Sequence, residues 1–183
     1  VNDKETTQFV GTVQSLMSFD SLRSFSIAHP PRRDVPPNPR VTSTSLELLQ
    51  GLARVTSLIV RAQIKEADDA ILEFSELAET SKHPQARWYV GLMRATRAHM
   101  DGRYDDAEHW ASRFLELGSK YGDRNAVHSY EAQHVMRAVD VGGLENYESR
   151  VRFMVEAFPR MVAWRAGLIL VLLEQNRTEE ART

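Results

Sequence analysis

Apolar residues recur three and four positions apart along most of this 183-residue chain, which is the spacing of amphipathic helices. Turn residues separate the apolar segments, and no segment shows the sustained alternation typical of a strand. The pattern predicts helices over residues 46–62, 64–80, 85–100, 105–117, 124–140, 144–157 and 160–174. We therefore predict an all-α fold.

The first 43 residues differ from the rest in composition. They begin with one apolar stripe of helical spacing, formed by Phe9, Val13, Leu16 and Met17. Five of the seven prolines then fall within residues 30–39, where fixed φ angles and missing N–H donors exclude a helix interior. We predict an N-terminal helical arm over residues 1–28, a proline-rich linker over 29–43 and a helical repeat domain over 44–183.

A short turn sequence recurs in the predicted repeat domain. Its clearest copy reads Gly-Arg-Tyr-Asp-Asp-Ala over residues 102–107. The turn positions of the four copies are Ala62, Gly102, Gly142 and Asn176, spaced by 40, 40 and 34 residues. Glycine adopts a left-handed turn conformation at little cost. The alanine five positions later is small enough to let the two flanking helices approach closely.

The recurrence resembles the tetratricopeptide repeat. Gly102, Tyr104, Ala107 and Ala111 stand where that motif has its signature residues, and Gly142 opens the third copy. The resemblance covers residues 46–183 and implies a right-handed α-solenoid of antiparallel helix pairs, preceded by the helical arm.

Two copies depart from the motif. Ala62 stands where glycine is usual in the first copy. Tyr147 stands where a small residue is usual in the third copy, which puts close packing of that helix pair in doubt.

A narrower resemblance concerns the helical-repeat regions of large bacterial signalling proteins. The similar phrases lie at residues 83–89, 100–108, 158–159 and 163–168. Those proteins join the repeats to an ATPase module, and often to a nucleotide-cyclase or DNA-binding domain. The resemblance implies a cytoplasmic sensor or scaffold segment. Since the chain has no initiator Met, we expect it to be a piece of a longer protein.

The repeat motif also implies a binding groove, because the first helix of each stacked pair lines the concave face of a solenoid. The predicted groove or partner-binding residues are Tyr89, Leu92, Arg94, Thr96, His99, Met100, Ser129, Ala132 and Met136. Small, polar and soft apolar side chains of this kind suit a peptide or a helix. The N-terminal arm or a terminal helix is an alternative occupant.

Composition and motifs exclude several other functions. The chain has no cysteine, which rules out disulfides, thiolate metal sites and cysteine nucleophiles. A net charge of −2 argues against nucleic-acid binding by this segment. No apolar run approaches the roughly 20 residues that span a bilayer. We find no nucleophile elbow or phosphate loop, and predict a non-enzymatic segment without cofactors.

Histidines and charged residues leave two further questions open. His128, Glu131 and His134 spread over an arc of about 120° on a helix, which is poor geometry for chelation, so we expect packing or surface roles. An acidic segment over residues 63–80 precedes a basic segment over 85–103. The two segments either pair locally or form a charged groove that steers a partner.

These observations predict a non-catalytic module that binds a protein or peptide, or other domains of its own parent chain. A sensor domain that closes around a small-molecule effector is the alternative. The sequence does not identify the partner.

Overall fold

The computed structural model describes residues 43–81 and 83–182, and every regular element among them is helical. The α-helices are α1 Ser43–Val60, α2 Ile64–Ser81, α3 Pro84–Met100, α4 Tyr104–Lys120, α5 Arg124–Val141, α6 Glu148–Ala157, α7 Val162–Glu174 and α8 Thr178–Ala181. A 3₁₀ helix, Leu144–Tyr147, lies between α5 and α6. The all-α prediction is confirmed for this part of the chain. The predicted arm over residues 1–28 and almost all of the linker lie outside it.

Several predicted helices differ in extent from the observed ones. The helix predicted to end at residue 117 continues through Gly118 to Lys120. The helix predicted over residues 144–157 is divided into the 3₁₀ helix and α6. The helix predicted from residue 160 begins at Val162, because a tight turn around Pro159 comes first. In that turn the Phe158 carbonyl accepts a hydrogen bond from the N–H of Met161 at 2.9 Å.

Three of the four recurring turns have the same backbone structure. Ala62, Gly102 and Asn176 have φ angles of 56°, 71° and 60°. The N–H of the following residue donates to a carbonyl five positions back, in the pairs Gln63–Leu58, Arg103–Ala98 and Arg177–Leu172, at 2.8–3.0 Å. This Schellman arrangement satisfies carbonyls that a helix end leaves free. In each case one helix ends two residues before the turn residue and the next begins two residues after it.

The turns divide the chain into helix pairs. We call α1, α3, α5 and α7 the first helices, and α2, α4, α6 and α8 the second helices. The most extensive packing joins α3 to α4, followed by α1 to α2 and α4 to α5. First helices also contact one another, α1 with α3 and α3 with α5.

The buried side chains form two clusters. The first cluster runs from α1 to the start of α5 and includes Phe74, Trp88 and Phe114. The second joins the rest of α5 to α6 and α7 and includes Met154 and Trp164. Helix α5 contributes to both clusters and therefore connects the two halves.

A glycine and a phenylalanine bring the helices together in each of the first two pairs. A Cβ atom at Gly51 would lie 2.7 Å from the Phe74 ring, and one at Gly91 would lie 2.7 Å from Phe114 Cβ. Both contacts recur at an interval of 40 residues. The sequence analysis did not identify this second set of repeated positions.

Candidate functional site

The nine residues predicted for the groove lie on α3 and α5. Six of them are buried, namely Tyr89, Leu92, Thr96, His99, Ser129 and Ala132. The groove as predicted is therefore not an open surface at these positions. Arg94, Met100 and Met136 are partly exposed.

Two of the buried residues join first helices to one another. Thr96 Oγ1 accepts a hydrogen bond from Gln133 Nε2 at 3.0 Å. His99 Nε2 lies 2.7 Å from Asp140 Oδ2. Both contacts run from α3 to α5, so these side chains fix the spacing of the two helices.

Tyr89 belongs to a buried aromatic cluster. Its ring stacks on Trp88 at 3.9 Å, and Trp88 Nε1 donates to Asp123 Oδ2 at 3.1 Å. The other Asp123 oxygen accepts from the N–H of Asn125 at 3.0 Å and caps α5. Burial raises the pKa of Tyr89 well above its usual range, and the Asp123 charge adds to the shift.

Arg94 lies among the second helices. Its guanidinium sits over the Trp110 ring at 4.6 Å and donates to Ser75 Oγ at 3.4 Å. Ser75 belongs to α2 and Trp110 to α4, so Arg94 points away from the contact between α3 and α5.

Four of the signature residues lie in the turn between α3 and α4 or on α4 itself. Gly102 has a left-handed φ angle, and Ala107 and Ala111 are buried. The ring of Tyr104 meets His99 edge-on at 5.4 Å. Gly142 has a φ of 90° and a ψ of 168°, so the third turn differs from the other three.

The acidic and basic segments form ion pairs with each other. Arg97 of α3 pairs with Asp68 of α2 at 2.7 Å, and Arg87 pairs with Glu79 at 3.0 Å. Glu73 pairs with Arg54 of α1. This is the local pairing that the sequence analysis gave as one of its two interpretations.

Arg97 is the centre of the most buried ion-pair network among the described residues. It donates to Asp68 and to Asp101, which also accepts from Arg103. The Asp68 hydrogen bond raises the pKa of Arg97. Burial opposes ionisation of Asp101, but hydrogen bonds from Arg103 and Arg97 hold its pKa below the usual range. The network stabilises the turn between α3 and α4.

The histidines considered for a metal site have separate partners. His128 Nδ1 accepts from Trp164 Nε1 at 2.9 Å, whereas Glu131 binds Arg150 at 2.8 Å. His134 Nε2 lies 3.3 Å from a Glu108 oxygen without hydrogen-bond geometry. Burial lowers the pKa of His128 to about 4. Within residues 43–81 and 83–182, no three acidic or histidine side chains come together as a metal site.

A surface cavity of about 280 Å³ lies between α1 and α2, where Gly51 has no side chain. Its walls include the Arg54 and Glu73 ion pair. Ligand pockets usually measure roughly 300–1,000 Å³ and bury most of their ligand. This open depression falls below that range.

No helix in the described ranges is long and apolar enough to cross a membrane.

Sequence analysis missed two features of the C-terminal half. One is the buried hydrogen bond between His128 and Trp164. The other is the exposed apolar face of α7, whose signal was the all-round apolar sequence of residues 166–173.

Comparison of the chain with protein-family models, curated proteins and solved structures finds no match.

Proposed function

We propose that this chain is a non-catalytic helical-repeat module that binds a protein or peptide, or another domain of its parent protein. The observation that carries the proposal is the recurrence of one turn, with the same backbone hydrogen bonds, after α1, α3 and α7. The same turn also connects α4 to α5, at Gly122. The contacts of α1 with α3 and of α3 with α5 support a stack of helix pairs, and the resemblance to tetratricopeptide repeats implies a right-handed solenoid. The narrower resemblance supports a place in a cytoplasmic bacterial regulator of signalling or transcription.

The buried groove residues narrow the binding surface to fewer positions. Met100 and Met136 remain partly exposed on α3 and α5, and Val139 is exposed beside Met136. Methionine side chains adapt to varied apolar partners. We place the partner against the partly or fully exposed positions Met100, Met136 and Val139, and not against Arg94.

A photo-crosslinking amino acid at Met136 tests the proposal. We expect it to capture one protein or domain whose affinity for the purified chain is then measured by calorimetry. The control position is Val127, which is exposed. It lies nine residues before Met136, which is about two and a half helical turns, and is therefore on the opposite side of α5.

The same two positions provide matched substitutions. Met136→Glu should weaken binding of the captured partner at least tenfold, whereas Val127→Glu should leave it unchanged. Equal capture at both positions, or equal affinity of both variants, would remove this surface from the proposal.

A further inference from the structure

The cavity between α1 and α2 has a filled counterpart in the second helix pair. The two pairs correspond at an interval of 40 residues, because the contact that Gly51 makes with a phenylalanine recurs at Gly91. At this interval Ala70, which lines the cavity, corresponds to Trp110 of α4. The first pair therefore lacks an aromatic side chain at the position where the second pair has one.

Trp110 contacts two guanidinium groups. Arg94 of α3 lies 4.6 Å from the centre of its ring, and Arg113 of α4 lies at 5.7 Å. The ring packs against the first buried cluster and is itself partly buried. An arginine over an aromatic ring is a favourable cation–π contact. In the second pair, the chain itself supplies the ring that fills this position.

The first pair keeps the arginine but not the ring. Arg54 corresponds to the arginine over Trp110, lines the cavity on the α1 side and forms an ion pair with Glu73. The apolar walls are formed by Ala70, Phe74 and Leu77. A cavity of about 150 Å³ holds a benzene ring. The cavity of about 280 Å³ is therefore large enough for one aromatic side chain.

The charges around the two positions are opposite. The rim of the first cavity carries Glu47 and Glu73 besides Arg54. Both glutamates are replaced by arginine in the second pair, at Arg87 and Arg113. A ring that enters the first cavity from outside therefore meets carboxylates. These accept a hydrogen bond from an indole N–H and favour a cation beside the ring.

The chain has no tryptophan of its own to fill the cavity. Residues 1–42 contain phenylalanine but no tryptophan. The three tryptophans of the chain, Trp88, Trp110 and Trp164, pack in or against the two buried clusters. Tryptophan is also one of the residues that contribute most to the affinity of protein interfaces. These observations favour a partner protein as the source of the ring.

We propose that this cavity binds a tryptophan side chain of a partner protein or peptide, with a lysine or arginine next to that tryptophan. Arg54 covers the ring, and Glu47 or Glu73 binds the neighbouring cation. The inference rests on the proposed function, since it assigns a chemistry to the partner. The cavity shares no residue with the surface at Met100 and Met136, so the two surfaces are tested separately.

A Lys-Trp-Lys peptide with blocked termini and a fluorinated indole ring tests the proposal by fluorine NMR. We expect saturable binding to the full 183-residue chain. The matched Glu-Trp-Glu peptide should bind at least tenfold more weakly, because the carboxylates of the rim repel it. A Lys-Leu-Lys peptide, which has the charge but not the ring, should not displace the first peptide.

Two substitutions locate the binding to the cavity. Ala70→Trp supplies the missing ring from the chain itself and changes no charge, so it should weaken binding of the Lys-Trp-Lys peptide at least tenfold. Circular dichroism confirms its folding. Glu73→Gln, at an exposed position, should weaken binding about two- to fivefold. The control is Glu156→Gln on α6, which removes the same charge at an exposed position and should leave binding unchanged.

Trp110→Ala opens the corresponding position of the second pair, where the rim is basic. This variant should bind the Glu-Trp-Glu peptide at least tenfold more tightly than the parent chain does. A variant without this gain would overturn the equivalence of the two positions, and the proposal with it.

Three other results would also overturn the proposal. One is equal binding of the Lys-Trp-Lys peptide by the parent chain and by Ala70→Trp. Another is no binding to the parent chain, which would mean that the cavity is closed to a ring from outside. The third is binding that falls as the chain concentration rises, which would identify a second copy of the chain as the occupant. None of these results affects capture at Met136.

Discussion

The first two helix pairs and the third pair are built differently, although all three follow the same 40-residue interval. In the first two pairs, a glycine on the first helix meets a phenylalanine on the second. In the third pair the corresponding residues are Glu131 and Met154. Glu131 reaches Arg150 of α6 through an ion pair at 2.8 Å. The α5 helix packs on the 3₁₀ helix and much less on α6.

The start of the second helix differs in the same way. Ala67 and Ala107 are buried five residues after their turns, and each donates its N–H to the residue that precedes the helix. Tyr147 holds this position in the third pair and is the last residue of the 3₁₀ helix. A side chain this large cannot occupy the space that alanine leaves between two helices. Close packing therefore depends on two small residues per pair.

The C-terminal half adds a fully buried hydrogen bond to the apolar contacts of its own cluster. Where the first half uses glycine and phenylalanine, α5 and α7 are joined by the buried hydrogen bond from Trp164 to His128. His128 Nε2 has no hydrogen-bond partner in the described structure, so the ring is satisfied at one nitrogen only. This makes the second cluster sensitive to acid in a way that an apolar contact is not.

The largest expected effect is therefore a loss of stability on acidification. Burial lowers the pKa of His128 from 6.5 to about 4 in the folded chain. Between these values the unfolded chain binds more protons, so the free energy of unfolding falls as pH decreases. The loss should reach about 2 kcal/mol at pH 5 and about 3 kcal/mol near pH 4. Urea denaturation at pH 7 and pH 5 measures it.

His128→Gln isolates this contribution, because a glutamine carbonyl can accept from Trp164 but does not titrate. The variant should lose less stability than the parent chain between pH 7 and pH 5. His134, whose pKa burial also lowers, contributes in the same direction in both proteins. His109→Gln, at an exposed position on α4, is the control. A His128→Gln variant as acid-sensitive as the control would contradict the assignment.

The second prediction compares one substitution in the two halves. Gly91→Ala places a Cβ atom 2.7 Å from Phe114 Cβ and 3.4 Å from its Cα, where the backbone cannot easily move. We expect it to lower the free energy of unfolding by about 1–3 kcal/mol. Gly167→Ala on α7 meets only Val151 Cγ1, at 3.8 Å. It should raise stability by about 0.5–1 kcal/mol, because alanine favours a helix.

Opposite signs for these two variants, measured by urea denaturation at one pH, would establish that close approach is a property of the first half. Destabilisation by both variants to the same extent would mean that α6 and α7 are packed as tightly as α3 and α4.

The sequence predicted the helices and turns well because both are local. The turn at Gly102 and its hydrogen bonds depend on a few neighbouring residues. The size of Tyr147 was enough to put close packing of the third helix pair in doubt. The groove was predicted less well, since burial of Thr96 and His99 depends on Gln133 and Asp140, about 40 residues away. Periodicity indicates which face of a helix is buried, but not how many other helices cover it.

The smallest expected effect concerns the turn residues themselves. Ala62 has a φ of 56°, a conformation that costs a residue with a Cβ atom about 1 kcal/mol. Ala62→Gly should therefore stabilise the chain by up to about 1 kcal/mol, reduced by the greater freedom of glycine in the unfolded state. Gly102→Ala should destabilise the chain by a similar amount. A Cβ atom there would have no neighbour within 4 Å, so the positive φ angle is the source of the cost. If the turns are equivalent, the double variant should match the parent chain in urea denaturation. A double variant clearly less stable than the parent would show that the turns at Ala62 and Gly102 are not equivalent in energy, despite their shared hydrogen bonds.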